Sequence, residues 1–144
     1  MEQNSKFVLD SGMFIAYFQD ENDEFSQILD EFIFSEDSTK LVYSNQLNLT
    51  EILYILCRNI GLKKARNLIA EMKSLISIIK IENIYDFAGE IKCQFPIALS
   101  NCFSIATGLM KNAPIMFLEE SELTTSLQER LKDDFKANLK VISL

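Results

Sequence analysis

The sequence predicts an α/β domain of three layers, a mostly parallel central sheet flanked by helices. Short apolar segments alternate along the chain with longer amphipathic ones, which is the pattern of parallel strands joined by helices. The 144 residues include only 4 Gly and 2 Pro, which favours long regular elements and short connections. Because no repeat, low-complexity tract or linker is visible, we expect a single domain over residues 1–144.

The first elements follow this alternation. KFVLD (6–10) is predicted to be a short buried strand, and SGMFIAYF (11–18) an apolar helical turn with Ser11 at its N-cap. Residues 20–34 are predicted to form an amphipathic helix, whose acidic start suits the positive end of the helix dipole. A loop is expected at residues 35–40.

The remaining elements are predicted from the same two patterns. Strands are expected at residues 41–44, 76–81, 114–118 and 141–144, and helices at 45–61, 62–75, 82–94, 97–113 and 121–139. The last strand is expected at an edge of the sheet.

Composition excludes several kinds of chemistry. The chain has no His, which removes Ser-His-Asp catalysis, Cys-His catalysis and His-bearing zinc sites. Cys57, Cys93 and Cys102 are isolated and fit reduced, mostly buried thiols. The net charge of −7 argues against attraction of the whole surface to nucleic acid or membranes, although a local basic patch is compatible with it. With no apolar run long enough to span a bilayer and no signal peptide at the N-terminus, we expect a cytoplasmic protein without membrane contact.

Polar side chains with oxygen ligands lie on four otherwise apolar elements. Asp10 ends the first strand, Glu51 is the one acid of an apolar helix, Asn101 lies near the start of a small-residue helix, and Glu119 and Glu120 follow the strand at 114–118. Strand ends in parallel sheets are where ligands bind. Carboxylates that converge there repel one another unless a divalent cation neutralises them, so we expect a site for Mg²⁺ or Mn²⁺. Each residue also has an ordinary alternative: a helix cap for Asp10 and Asn101, a solvated helix position for Glu51, and loop acids for the last two.

These residues resemble the motifs of the PIN domain, especially its prokaryotic toxin-type, VapC-like branch. VLDSGMFIAYF is similar to the opening strand of the family, with the first metal-binding acid at Asp10 followed by Ser11. SNQLNLTEILYILCRNIG is similar to the second motif, with its acid at Glu51 and Asn48 and Tyr54 in familiar positions. The resemblance runs from about residue 6 to residue 120.

The third segment, EIKCQFPIALSNCFSIATGLMKNAPIMFLEE, departs from the family pattern. The third family acid falls on Asn101, directly after Ser100, and the fourth falls on Glu119, with Glu120 as an alternative register. The resemblance implies a catalytic and metal-binding set formed by Asp10, Glu51, Asn101 and Glu119, with Glu120 as a further metal ligand and with Ser11, Asn48 and Ser100 in support. Asn keeps a carbonyl oxygen but removes one negative charge from the pocket.

The resemblance also implies a function, with two forms left open. One is a Mg²⁺- or Mn²⁺-dependent endoribonuclease that forms homodimers and is silenced by a small antitoxin protein. The other is a catalytically degenerate member that keeps the fold as an RNA- or protein-binding module. A phospho-receiver domain ranks well below both, because it requires a second acid beside Asp10. A phosphohydrolase with an Asp nucleophile is disfavoured because Gly12 stands where its second Asp is expected.

Two surface features bear on partners. Arg58, Lys63, Lys64 and Arg66 form a basic cluster with no acid between residues 52 and 70, and we expect them to bind RNA phosphates, although an ordinary solvated helix start has the same composition. Leu53, Ile55 and Leu56 surround the Glu51 helix on more faces than one core contact needs, which predicts a homodimer.

Overall fold

A computed structural model describes residues 6–19, 23–32 and 40–143. Its five strands are β1 (Lys6–Leu9), β2 (Leu41–Asn45), β3 (Ser77–Ile79), β4 (Ile115–Leu118) and β5 (Leu139–Ile142). They form one sheet in the order β3-β2-β1-β4-β5, and every neighbouring pair is parallel. The predicted fold class is therefore confirmed.

Seven helices and one short 3-10 helix (Ile81–Asn83) lie in the described ranges. The helices are α1 (Ser11–Gln19), α2 (Asp23–Phe32), α3 (Gln46–Ile60), α4 (Leu62–Leu75), α5 (Tyr85–Gln94), α6 (Leu99–Lys111) and α7 (Thr125–Phe135). Among the described helices, none combines the length and the apolar character that crossing a membrane requires.

The central strand β1 lies at the point where the strand order changes direction. It pairs with β2 on one side, with Phe7 opposite Val42, and with β4 on the other, with Val8 opposite Ile115. The chain adds β2 and β3 to one side of β1, and β4 and β5 to the other. In α/β folds, the helices that leave the two sides of such a switch point diverge, and ligands bind in the crevice at the carboxyl edge between them.

Alternating side chains of the strands divide the core into two layers. Phe7 and Leu9 of β1 belong to an apolar cluster with α1, α2, α3 and α4, whereas Val8 belongs to a second cluster with α5, α6 and α7. Helix α6 lies very close to the sheet, because a Cβ added to Gly108 would be 2.4 Å from the Ile115 side chain. Only glycine permits this approach, which brings the first turns of α6 near the end of β1.

Several predicted boundaries differ from the structure for identifiable reasons. Ser11 is the first residue of a two-turn helix rather than the cap of a single turn. The strand predicted at 76–81 is shorter because its register with β2 ends at Asn45, which opposite Ile79 becomes the N-cap of α3. The last helix ends at Phe135 because Lys136 adopts a left-handed conformation with φ of 64°.

Three further predictions meet the structure only in part. Of the thiols expected to be mostly buried, Cys102 is buried, Cys57 is partly buried and Cys93 is exposed. Leu56, one of the side chains expected to face a second subunit, is fully buried in the cluster that contains Leu9, so it belongs to the core instead. Leu53 and Ile55 are partly buried. The predicted loop at 35–40 and the start of the helix at 20–34 fall largely outside the described residues.

Candidate metal site at the carboxyl edge of the sheet

Asp10 directly follows β1 and is buried, with 2% of its surface exposed. Its backbone N–H donates to the carbonyl oxygen of Met116 in β4 at 3.0 Å, which fixes its position. One carboxylate oxygen, Oδ1, accepts from the Ser104 hydroxyl at 2.6 Å, and Oδ2 accepts from the Gly12 N–H at 3.2 Å. Asp10 thus caps α1, as its ordinary alternative predicts, and also contacts α6. We call Asp10, Gly12 and Ser104 the Asp10 corner.

Burial raises the pKa of Asp10 from 3.8 to about 7. The hydrogen bonds from Ser104 and Gly12 act in the opposite direction, and the negative charges of Glu120 and Glu51 raise the pKa further. Ionisation of Asp10 therefore destabilises the folded, metal-free chain near neutral pH. A cation in the crevice would remove that destabilisation.

A buried network of hydrogen bonds holds the Ser104 side chain in place. The Asn48 side chain donates through Nδ2 to Ser104 Oγ at 2.5 Å, and the Asn48 backbone N–H donates to the Asn45 side chain at 2.8 Å. Asn45 in turn donates to the Thr107 hydroxyl at 3.0 Å. Within the described part of the chain, Oδ1 of Asn48 is buried without a hydrogen-bond partner. Asn48 therefore supports Asp10 indirectly, through Ser104.

Ser104 was not among the predicted site residues. It lies 94 positions from Asp10, so no local pattern connects the two. One signal was available: Ser104 follows Asn101 by three positions on a helix, which places both side chains on one face.

Glu51 joins the first two predicted motifs. It lies on α3, is half-buried, and accepts a short hydrogen bond from the hydroxyl of Ser11, which is itself buried on α1. This contact fixes one oxygen of the Glu51 carboxylate beside the residue that follows Asp10.

The second corner of the site forms around Asn101. This side chain is buried at 2% exposure near the start of α6, and its Nδ2 donates to Glu120 Oε2 at 2.9 Å and to Glu122 Oε1 at 2.5 Å. Glu122 Oε1 also accepts from the Ala98 N–H at 3.0 Å. Partial burial raises the pKa of Glu120; the Asn101 hydrogen bond lowers it, and the charges of Glu122 and Glu51 raise it. We call Asn101, Glu120, Glu122 and Ala98 the Asn101 corner.

Glu119 and Glu120 face different surroundings. Glu119 is exposed and accepts from the Ser143 hydroxyl at 2.8 Å, next to β5. Glu120 contacts Asn101 and interacts electrostatically with Asp10. Of the predicted site residues, the structure thus brings Asp10, Glu51, Asn101 and Glu120 together, with Ser11 and Asn48 beside them. It also adds Glu122, which sequence reasoning missed. Ser100 lies in the first turn of α6 and is buried at 9% exposure.

The donor set matches a hard divalent cation in chemistry, since carboxylate oxygens are the ligands that Mg²⁺ and Mn²⁺ prefer. The mutual repulsion of Asp10, Glu51 and Glu120 also favours a cation between them. Across residues 6–19, 23–32 and 40–143, no three acidic or Cys side chains are arranged to hold a metal ion as placed. Each of these carboxylates accepts a hydrogen bond from a donor of the protein itself.

The predicted basic cluster lies at the surface beside the Glu51 helix. Arg58, Lys63, Lys64 and Arg66 are all exposed, at the end of α3 and the start of α4. The Arg58 guanidinium lies over the ring of Tyr54, with 5.0 Å from its carbon to the ring centre. Because residues 51, 54 and 58 are spaced by three and four, they lie on one face of α3. Arg58 is then about 10 Å along the helix from Glu51.

Similarity to solved structures supports the fold independently. The chain is similar to a chain of VapBC2 from Rickettsia felis bound to a DNA fragment from its promoter, with a TM-score of 0.67, 11% identity, and coverage of 94% of this chain and 98% of that one. It is also similar to VapBC-1 from nontypeable Haemophilus influenzae, with a TM-score of 0.64, 12% identity, and coverage of 94% and 97%. A toxin-antitoxin complex from Klebsiella pneumoniae gives a TM-score of 0.60, 13% identity, and coverage of 82% and 90%.

No protein-family model matches the chain, and no curated protein matches it either. The likeness is therefore carried by the three-dimensional structure. Its high coverage on both sides means that the strands, the helices and their order correspond over nearly the whole length. The chain has the VapC-like PIN fold.

Proposed function

We propose that this chain is a divalent-metal-dependent endoribonuclease of the PIN type. The observation that carries the proposal is the meeting of Asp10, Glu51 and Glu120 at the carboxyl edge beside β1 and β4, where the charges of Glu120 and Glu51 raise the pKa of Asp10 and the charge of Glu51 also raises that of Glu120. Asp10, Glu51 and Glu120 would hold Mg²⁺ or Mn²⁺. A divalent ion bound there supplies an activated water and stabilises charge that develops on a phosphodiester.

The chain's own residues would orient this site. Ser104 and the Gly12 N–H hold the two oxygens of Asp10 in fixed directions, and Ser11 does the same for Glu51. Such supporting hydrogen bonds are worth about 10- to 100-fold in metal affinity or activity.

The experiment is cleavage of a labelled single-stranded RNA with Mn²⁺ and with EDTA. We expect Asp10→Asn and Glu120→Gln to lower the Mn²⁺-dependent rate by at least the roughly 100-fold that loss of a supporting residue can cost. Glu119→Gln is the matched control, because it removes the same charge from an exposed side chain that contacts Ser143 instead. Equal losses in all three variants would reject this assignment of the ligands.

RNA binding is proposed to use the basic cluster. Arg58, Lys63, Lys64 and Arg66 lie beyond Glu51 on adjoining helices, where phosphates of a strand crossing the site would pass. We expect Lys63→Glu with Lys64→Glu to weaken RNA binding several-fold and to reduce its salt dependence. The control is Lys132→Glu with Lys140→Glu, an equal charge change at exposed positions of α7 and β5. An unchanged affinity in the first pair would reject the cluster.

Tyr54 offers a direct probe of that path, because the chain contains no Trp. Tyr54→Trp introduces a single Trp, which can be excited selectively above the Tyr absorption band, on the face of α3 that carries Glu51 and Arg58. Stacking of a base on this ring would quench its fluorescence when RNA is added. The control is Tyr85→Trp, at an exposed position of α5 on the other side of the sheet, whose fluorescence should not change when RNA is added.

The proposal extends to partners. Because the similar structures are VapBC and toxin-antitoxin complexes, we propose that a small antitoxin protein binds this chain in the cytoplasm. A homodimer is also proposed, and light scattering at high micromolar concentration tests it; a clean monomer would contradict it.

The second candidate function is a catalytically degenerate binding module of the same fold. The observation that favours it is Asn101, whose neutral amide stands beside Glu120 where the resemblance places an acid. An absence of Mn²⁺-dependent cleavage in the wild-type chain, together with tight binding of a small protein, would favour this candidate.

A further inference from the structure

We infer that Asn101 acts in this chain as an internal substitute for a cation rather than as a metal ligand, and that Glu122 is the positioning residue that holds it in this role. The inference concerns the metal-free chain, so it does not depend on whether the chain cleaves RNA.

The direction of the hydrogen bonds supports this role. Both bonds leave from the Asn101 amide nitrogen, at 2.9 Å to Glu120 and 2.5 Å to Glu122. Ionised carboxylates only accept hydrogen bonds, so the nitrogen and not the oxygen of the amide must face them. Asn101 therefore presents two N–H groups to two anions, which is the stabilisation that a cation between them would give.

Glu122 is the member of the corner that is anchored at two points. The same oxygen that accepts from Asn101 also accepts from the Ala98 N–H, directly before α6. The first turn of a helix carries unpaired N–H groups and a partial positive charge, so a carboxylate is stable there. With Glu122 fixed by the helix start, the amide nitrogen of the buried Asn101 is held toward Glu122 and Glu120.

This arrangement explains how two carboxylates remain close together without a bound ion. An acid at position 101 would place a third carboxylate against them and remove both amide N–H donors, so that only the Ala98 N–H would still donate to Glu122. The chain therefore tolerates Glu122 because residue 101 is Asn.

The test exchanges donor and acceptor. Thermal unfolding is measured in EDTA at pH 7.5, so that no metal contributes. We expect Asn101→Asp to lower the unfolding temperature by about 5 °C, because three carboxylates then meet. Adding Glu122→Gln to Asn101→Asp should restore more than half of that loss, since the introduced amide can donate to the introduced carboxylate.

The matched control is Asn101→Asp combined with Glu119→Gln. Its net charge equals that of the exchange variant, but Glu119 contacts Ser143 and not Asn101. We expect no restoration in this control. Glu122→Gln alone keeps an oxygen that accepts from Asn101 and Ala98, and it should shift the unfolding temperature by less than Asn101→Asp does.

Two results would overturn the inference. If Asn101→Asp unfolds at the wild-type temperature, Asn101 is a simple helix-start residue, at which Asp and Asn are equivalent. If both double variants recover equally, only the net charge matters and Glu122 has no specific role. Should Asn101→Asp be too unstable to purify, the two double variants alone decide: folding of the exchange variant but not of the control supports the inference, and equal behaviour overturns it.

Discussion

Asp10 and Asn101 lie at two corners of one site and are equally buried, yet they are held in opposite ways. At the Asp10 corner the buried group is the anion, and a hydroxyl and a backbone N–H donate to it. At the Asn101 corner the buried group is a neutral amide, and the carboxylates that accept its hydrogen bonds, Glu120 and Glu122, are half-exposed.

The comparison shows where this chain accepts the cost of burying a charge. Desolvation penalises a buried carboxylate much more than a buried amide whose N–H groups are paired. The Asn101 corner avoids most of that penalty by leaving Glu120 and Glu122 near water. The Asp10 corner accepts it, and this is why the pKa of Asp10 rises to about 7. A buried charge that destabilises the metal-free chain points to function, since charged groups buried in crevices are typical of ligand sites.

The largest effect is expected from removing the charge at the Asp10 corner. Because the folded-state pKa of about 7 exceeds the ordinary value of 3.8, the folded chain keeps a proton that the unfolded chain loses. The associated stability is present below pH 3.8 and is lost as pH rises to about 7. The total is about 4 kcal/mol, at roughly 1.4 kcal/mol per pH unit.

The free energy of unfolding of Asp10→Asn, relative to that of wild type, should therefore increase by about 4 kcal/mol from pH 4 to pH 8. Urea unfolding in EDTA at both values measures this difference. Glu119→Gln serves as the control, since it removes the same charge from an exposed position. If the free energies of unfolding of wild type and Asp10→Asn differ by the same amount at pH 4 and pH 8, ionisation of Asp10 does not destabilise the folded chain.

A second change disturbs both corners together. Helix α6 carries Ser104 and Asn101, and its distance from the sheet depends on Gly108, where an added Cβ would be 2.4 Å from Ile115 and 2.9 Å from the Ala113 carbonyl oxygen. We expect Gly108→Ala to destabilise the chain by about 2 kcal/mol in urea unfolding. Gly89→Ala on α5, with open space around the added Cβ, should instead stabilise it by about 0.5 kcal/mol. Similar effects of the two variants would contradict this close approach of α6.

The smallest effect is expected from the hydroxyl at the Asp10 corner. Ser104→Ala removes a donor to Asp10 and leaves Asn48 Nδ2 without its acceptor, which should cost about 1.5 kcal/mol. The loss should be larger at pH 8, where Asp10 is ionised, than at pH 4. Thr107→Val removes a hydroxyl one turn later on α6 that bonds Phe103 and Asn45, and its cost should not depend on pH. Equal pH dependence in the two variants would show that Ser104 does not stabilise the charge of Asp10.

Particular residues show how far sequence reasoning reached at the site. Asp10 and Glu51 stood out because each is a lone acid in an apolar segment, a contrast that local pattern displays directly. Between Glu119 and Glu120 the pattern left a choice, because both follow β4 and nothing local tells which one turns toward α6. Glu122 fell at the start of the helix predicted at residues 121–139, where nothing local marks it, and its contacts with Asn101 and Ala98 depend on residues 21 and 24 positions away.

By itself the sequence determined the alternation of strands and helices, the absence of His chemistry, and the burial of Asp10 at a strand end, because these depend on residue type and on spacing within one element. Only the tertiary structure decided which groups donate to each carboxylate. Ser104 reaches Asp10 across 94 residues, and it does so because Gly108 lets α6 lie close to β4. Hydrogen bonds form over about 3 Å, and distances on that scale between remote residues are set by packing alone.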